Sequence, residues 1–224
     1  MNSKVPGNAG NSRFRTILFD FDGTVYDTVE GITKSVQYAL DRHGIKAETE
    51  ELRCFAGPPL VEKLMEVYGV SEKEAVQLVS DFRERYLPVG VYESAPFPGM
   101  RELLLSLKKA GYRLGIATNK PQELAELLLK RSELLEYFDV VVGSNSKIHN
   151  EQKWQMIMRA MEYLSADPVS TVLIGDTKYD AEGAGKCSIP CIGVSWGCAG
   201  PGELEASGVA AIVDSPEELL AFFQ

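Results

Sequence analysis

Apolar residues in this chain gather into two kinds of stretch. Six stretches are short and nearly unbroken: Thr16–Asp20, Tyr112–Thr118, Asp139–Gly143, Thr171–Asp176, Cys191–Trp196 and Ala211–Asp214. Such runs predict strands covered on both faces, because a strand with one wet face alternates polar and apolar residues. Between them, apolar positions recur at helical spacing. Leu103, Leu104, Leu107 and Ala110 mark a helix over Met100–Ala110 that stops at Gly111, and Pro121 opens another running towards Leu135. Trp154, Ile157, Met161 and Leu164 predict the buried face of a third. Strands alternating with helices predict βαβ units and a mostly parallel sheet, an α/β fold.

Val29–Ser94 breaks the alternation, since its patterns are all helical. Ile32, Val36, Ala39, Leu40 and His43 share one face, and Gly44 stands where a helix ends. Pro59 suits the first turn of a helix carrying Leu60, Leu64 and Val67 and ended near Gly69. Ser71 and Glu74 form a capping box for a helix through Val79, Phe82 and Tyr86. The chain returns through Pro88, Gly90, Pro96, Pro98 and Gly99. The pattern predicts an α/β core from residues 14–28 and 95–224 and a smaller all-helical cap domain, 29–94. A cap inserted there can close over the carboxyl ends of the strands, where open α/β sheets bind ligands. Residues 1–13 contain Asn, Gly, Ser and Pro without an apolar run, and read as a loose leader rather than a signal peptide.

Composition narrows the class. The 224 residues are 45% hydrophobic, with no stretch near the roughly 18 apolar residues that span a bilayer. A net charge of −9 argues against a nucleic-acid partner, because such proteins present a basic face. The expectation is a cytoplasmic protein with neither membrane nor nucleic acid as partner; nothing in the pattern speaks to oligomeric state. Cys54, Cys187, Cys191 and Cys198 are too few for a disulfide framework and lack the C-x2-C spacing of a zinc site, so free thiols are expected.

The chemistry concentrates at predicted strand ends. The run Thr16-Ile17-Leu18-Phe19 delivers Asp20 and Asp22, followed by Gly23, Thr24, Val25, Tyr26 and Asp27. Two carboxylates spaced i, i+2 share a side if the extended geometry persists, and they then need a cation or a shared proton. An ordinary Asp- and Gly-rich turn is the plain alternative. A second run, Thr171–Ile174, ends in Gly175-Asp176, with Asp180 four residues on. Acidic groups at neighbouring strand ends make an oxygen-rich nest suited to Mg²⁺. Asp176 equally fits a helix cap, and Asp180 either a surface helix position or an outer metal ligand. Thr118-Asn119-Lys120 precedes Pro121 at a strand-to-helix turn that can bind an anion. Lys153 alone reads as a solvated charge.

In this chain order, D-x-D-G-T-x-x-D, T-N-K, a lysine and G-D-T-x-x-D resemble the haloacid dehalogenase superfamily over almost the whole sequence. The helical insertion resembles that superfamily's cap. The resemblance implies a Rossmann-like sheet with strand order 3-2-1-4-5-6, and an enzyme that is a phosphoric monoester hydrolase. It implies Asp20 as nucleophile forming an aspartyl-phosphate and Asp22 as general acid and then base. It also implies Thr118 as phosphoryl-binding group and Lys153 as the charge-neutralising cation. Mg²⁺ would be held by Asp20, Asp176 and the backbone carbonyl of Asp22, with Asp180 in support.

Asp22 argues against true dehalogenases and phosphonoacetaldehyde hydrolases, which replace that second acid. Thr118-Asn119-Lys120 and Gly57-Pro58-Pro59-Leu60 resemble phosphoglycolate phosphatases. Trp154 stands where many relatives have Pro, however, and Ser144 to Gln152 lacks an Arg found in some. The implied activity is therefore a Mg²⁺-dependent phosphatase acting on a small phosphorylated metabolite. A phosphomutase resembling β-phosphoglucomutase and a non-catalytic binding module are the alternatives. Asn119, with Thr118 and Lys153, is expected to bind substrate, and Arg53, Phe55, Gly57 and Pro58 form the cap loop expected to reach it. Lys147 and His149 read as solvated loop residues.

Overall fold

The six apolar runs form one parallel sheet. In the computed structural model, which describes residues 13–145 and 151–224, they are β1 (Thr16–Phe19), β4 (Arg113–Pro121), β5 (Val140–Ser144), β6 (Thr171–Gly175), β7 (Cys191–Val194) and β8 (Ala211–Val213). Their order across the sheet, β5-β4-β1-β6-β7-β8, is the expected 3-2-1-4-5-6. Lys147, His149 and the leader before Arg13 lie outside the described residues. Two short strands missing from the sequence reading, β2 (Tyr26–Asp27) and β3 (Ala95–Pro96), pair antiparallel where the chain enters and leaves the helical insertion.

Side chains alternate across β1 as a pleat requires. Ile17 and Phe19 join one buried cluster, with Leu104 of α4 (Met100–Lys109), Leu128 of α5 (Gln122–Arg131) and Leu219 of α9 (Pro216–Phe223). Leu18 joins the other, with Ile157 of α6 (Lys153–Tyr163) and Ala184 of α7 (Lys178–Lys186). Both faces are therefore covered, as the unbroken apolar runs demand. A short helix, α8 (Glu203–Ala206), precedes β8. Phe19 is level with Ile116 on one side and Ile174 on the other, so β1, β4 and β6 present their carboxyl ends together.

The insertion contains α1 (Val29–Arg42), α2 (Leu60–Tyr68) and α3 (Glu72–Tyr86). Asp27 Oδ1 accepts from Val29 N–H (3.1 Å) at the start of α1. His43, at the end of α1, lies 2.6 Å from buried Asp81 of α3. The Ser71–Glu74 capping box is present.

Several details differ from the sequence reading. Pro59 precedes α2 as its N-cap, because φ near −60° also suits the residue that enters a helix. Thr49–Phe55 is a 3-10 helix with its own Glu48–Glu51 capping box. The second strand extends past Thr118 to Pro121 through an irregularity in its pairing with β5. The helix after it ends at Arg131, and a 3-10 turn takes Leu135–Tyr137. In α6 the inward face is Lys153, Met156, Ile157, Ala160 and Met161; Trp154 is 37% exposed, since it lies one position round the helix from Lys153.

Candidate active site

β1 stops at Phe19, and Asp20 continues far enough for its N–H to reach Ile174 O (2.9 Å) on β6. The chain then folds sharply, with Phe21 O accepting from the N–H groups of Thr24, Val25 and Tyr26. Gly23 makes this turn possible, with φ +79° and a Cβ position only 2.0 Å from Asp176 Oδ2. The extended geometry does not persist from Asp20 to Asp22, and the two carboxylates have different partners. Lys153 Nζ sits 2.6 Å from Asp20 Oδ1, whereas Lys120 Nζ donates to Asp22 Oδ1 at 2.8 Å.

β6 brings the second acidic pair. Asp176, fully buried, accepts from Cys198 N–H (2.7 Å) and from the Thr24 hydroxyl (3.3 Å). Asp180 folds back to cap α7, its Oδ2 accepting from the N–H groups of Asp176 and Thr177 and from the Thr177 hydroxyl. Its Oδ1 faces Lys153 Nζ at 2.7 Å. Lys153 therefore bridges Asp20 and Asp180, and one oxygen each from Asp20, Asp176 and Asp180 lies within 4.8 Å of the others.

Electrostatics follow from burial and crowding. Desolvation pushes the Asp20 carboxyl up to about 6 against the pull of Lys153, with Asp180 adding repulsion. Desolvation raises Asp176 well above the usual carboxylate range, and Asp180 and Asp20 reinforce it. Burial acts to lower the pKa of Lys153, but the carboxylates of Asp180 and Asp20 reverse the sign and hold the ammonium charged. Ionised, the three clustered carboxylates carry three negative charges against the one positive charge of Lys153. The residual two charges, the all-oxygen donor set and the close carboxylates fit a divalent hard cation.

The phosphate-facing groups expected from sequence sit beside this cluster. Thr118, buried at the end of the regular part of β4, accepts Lys120 N–H at 3.2 Å through its hydroxyl. Asn119 Nδ2 reaches Gly57 O from the insertion at 3.4 Å, while its buried Oδ1 has no hydrogen bond. A cleft of about 300 Å³ opens here, lined by Asn119, Lys153, Trp154 and Tyr179 on one side and by Pro58, Pro59 and Lys63 on the other. Gly57 (φ +103°) turns the chain towards the sheet. Of the expected cap loop, Pro58 lines this cleft and Gly57 meets Asn119 through its carbonyl, Phe55 is buried against Tyr68, and Arg53 is exposed and outside the cleft lining, near enough to Cys198 to act on it electrostatically.

Residues that sequence reasoning misses include Cys198 and Thr24, which hold Asp176, and Trp196, whose Nε1 donates to Thr24 O (3.1 Å). Thr24 does stand in the D-x-D-G-T run, whereas Cys198 and Trp196 carry no sequence signal, because they act through or upon backbone atoms. Lys120 does stand in the Thr118-Asn119-Lys120 run, and Tyr86 on the apolar face of α3, but their meeting is visible only in the fold. All four cysteines are free thiols. No helix among the described residues is long and apolar enough to cross a membrane.

Comparison with known proteins agrees with this geometry. Residues 17–194 match the family of haloacid dehalogenase-like hydrolases. The chain is 36% identical over 195 residues to a 5'-nucleotidase from Pseudomonas aeruginosa, covering 87% of this chain and 88% of that protein. It is 32% identical to a plasmid-encoded phosphoglycolate phosphatase from Cupriavidus necator, covering 92% and 91%. A crystal structure described as a predicted phosphatase from Clostridium acetobutylicum superposes with a TM-score of 0.89 at 38% identity, covering 92% of this chain and 96% of that one. The chain belongs to the haloacid dehalogenase-like hydrolases. Within that family it is an enzyme of the phosphatase kind.

Proposed function

We propose that the protein is a Mg²⁺-dependent phosphatase that hydrolyses a small phosphomonoester through an aspartyl-phosphate on Asp20. The supporting observation is the convergence of Asp20, Asp176 and Asp180 within 4.8 Å around a lysine that bridges two of them. The ion would be held by Asp20, Asp176 and the Asp22 backbone carbonyl, with Asp180 in support through its contacts with Lys153 and the start of α7. When bound, Mg²⁺ supplies positive charge that offsets the repulsion between a carboxylate and a phosphate dianion.

In this reading Asp20 attacks phosphorus as the bond to the leaving oxygen breaks, and Asp22 gives that oxygen its proton. A water then attacks the acyl-phosphate, Asp22 takes its proton, and the bond from phosphorus to Asp20 breaks to release inorganic phosphate. Lys153 fixes Asp20 and offsets charge on the transferring group, while Thr118 and Asn119 orient it. Residues 29–94 act as the lid, and the Gly57–Pro58 turn with Asn119 meets the leaving group in the cleft.

A phosphate-release screen with Mg²⁺ over nucleotides, phosphoglycolate, pyrophosphate and sugar phosphates tests the reading. The parent protein is expected to release phosphate from at least one, and Asp20→Asn from none while keeping its fold. Substantial turnover by Asp20→Asn, or undiminished turnover in chelator, overturns the nucleophile or the metal respectively.

A further inference from the structure

Lys120 is a buried cation to which the scheme above gives no task. It lies 6% exposed at the irregular end of β4, with its Nζ 2.8 Å from Asp22 Oδ1 and 2.7 Å from the Tyr86 hydroxyl. The same Nζ stands 5.5 Å from the Phe21 ring centre and 5.2 Å from that of Tyr86. A buried ammonium is costly to desolvate and is retained where it is closely paired. Tyr86 comes from α3 of the insertion and is itself fixed by a stack on Phe82 at 4.8 Å. The Asp22 side chain is held through Oδ1, and its Oδ2 accepts no hydrogen bond among the described residues.

We propose that Lys120 and Tyr86 are positioning residues for proton transfer. Lys120, steadied by the Tyr86 hydroxyl, holds Oδ1 of Asp22 and leaves Oδ2 as the oxygen that hands a proton to the departing alcohol. Tyr86 belongs to the insertion and meets the Lys120 ammonium, so the insertion helps to steady the lysine that aims Asp22. This inference rests on the reading of Asp22 as general acid, and the experiment separates the two.

The measurement is kcat/KM, which reports steps through cleavage of the leaving-group bond, for p-nitrophenyl phosphate and for an alkyl phosphate. Nitrophenolate departs without help, whereas an alkoxide needs its proton. Asp22→Asn is the reference, expected to harm the alkyl substrate far more than the aryl one. If it harms both equally, the assignment of Asp22 falls, and this inference with it. If the reference behaves as expected, Lys120→Met is expected to lower kcat/KM for the alkyl phosphate by about a hundredfold. Tyr86→Phe is expected to lower it by about tenfold, the size of one lost hydrogen bond to a charged group. Both variants should change the aryl substrate by less than about threefold, within the span of an ordinary neutral hydrogen bond. Equal losses on both substrates, or no loss on either, overturn the inference. Thermal melting checks folding, and Tyr86→Phe, which keeps the ring and its stack, decides the matter if Lys120→Met does not fold.

Discussion

Replacing one glycine by alanine in two places should give effects of opposite sign. At Gly23 the added methyl group would lie 2.0 Å from Asp176 Oδ2 and 2.6 Å from its Cγ. Asp176 cannot retreat, because on another side the Cβ position of Gly197 is only 2.2 Å from Asp176 Cβ, and Cys198 N–H anchors Oδ2. An alanine also resists φ +79°, which costs about 1–2 kcal/mol. Overpacking a site with no slack adds about 1–3 kcal/mol, for a total of about 2–5 kcal/mol. In a chain of this size that lowers Tm by about 4–20 °C. Gly185, near the end of α7, has no atom within 4 Å of its Cβ position. Alanine there stabilises by about 0.5–1 kcal/mol, because a helical glycine loses more freedom on folding. Parallel thermal melts followed by circular dichroism read both numbers. Displacement of Asp176 should also raise the Mg²⁺ concentration that Gly23→Ala needs for half-maximal phosphate release. A Gly23→Ala protein that melts with the parent and needs no extra Mg²⁺ would refute the idea that this turn is moulded against Asp176.

Two further outcomes follow from the charge in the cluster. Asp20 titrates at about 6 when folded and metal-free, above the unfolded value of about 3.9, so between those values the folded state holds the extra proton. Its contribution to stability is therefore present at low pH and lost as pH rises through about 6, and Asp176 acts in the same direction. The rise in Tm on adding Mg²⁺ should accordingly be larger at pH 7.5 than at pH 5; an equal or smaller rise would count against the site. Lys153→Met removes the charge facing Asp20 and Asp180, which should destabilise the metal-free protein by about 3–5 kcal/mol. Urea unfolding with and without Mg²⁺ should show part of that loss restored by the ion, and an unchanged midpoint would contradict the charge balance drawn here.

The sheet could be read from the chain because its strands are buried on both faces, which writes them as unbroken runs such as Thr16-Ile17-Leu18-Phe19. Strand order needed the family resemblance, since local pattern says nothing of which runs become neighbours. Asp20 and Asp176 were visible as acids closing apolar runs, and the level ends of β1 and β6 join them. Lys153 shows the limit of local reading: alone it resembles any solvated lysine opening a helix, yet it is 5% exposed because its helix packs that edge against α7. Trp154 misleads for the related reason that a large apolar residue claims the inward face a lysine occupies. Arg53 lies on the exposed side of the 3-10 helix Thr49–Phe55, whose Leu52 and Phe55 are buried, and that arrangement cannot be read from its neighbours in sequence. Contacts made through backbone atoms, such as Cys198 N–H to Asp176, leave no trace in residue identity.

The covalent role of Asp20 is tested most directly by mixing enzyme, Mg²⁺ and a hydrolysed phosphomonoester, quenching in acid during turnover and weighing the peptides. One added phosphoryl group is expected on the peptide bearing Asp20, absent after Asp20→Asn and removed by hydroxylamine, which cleaves acyl-phosphates. A phosphoryl group on any other peptide, or brisk turnover with an unmodified Asp20 peptide at every quench time, would contradict it.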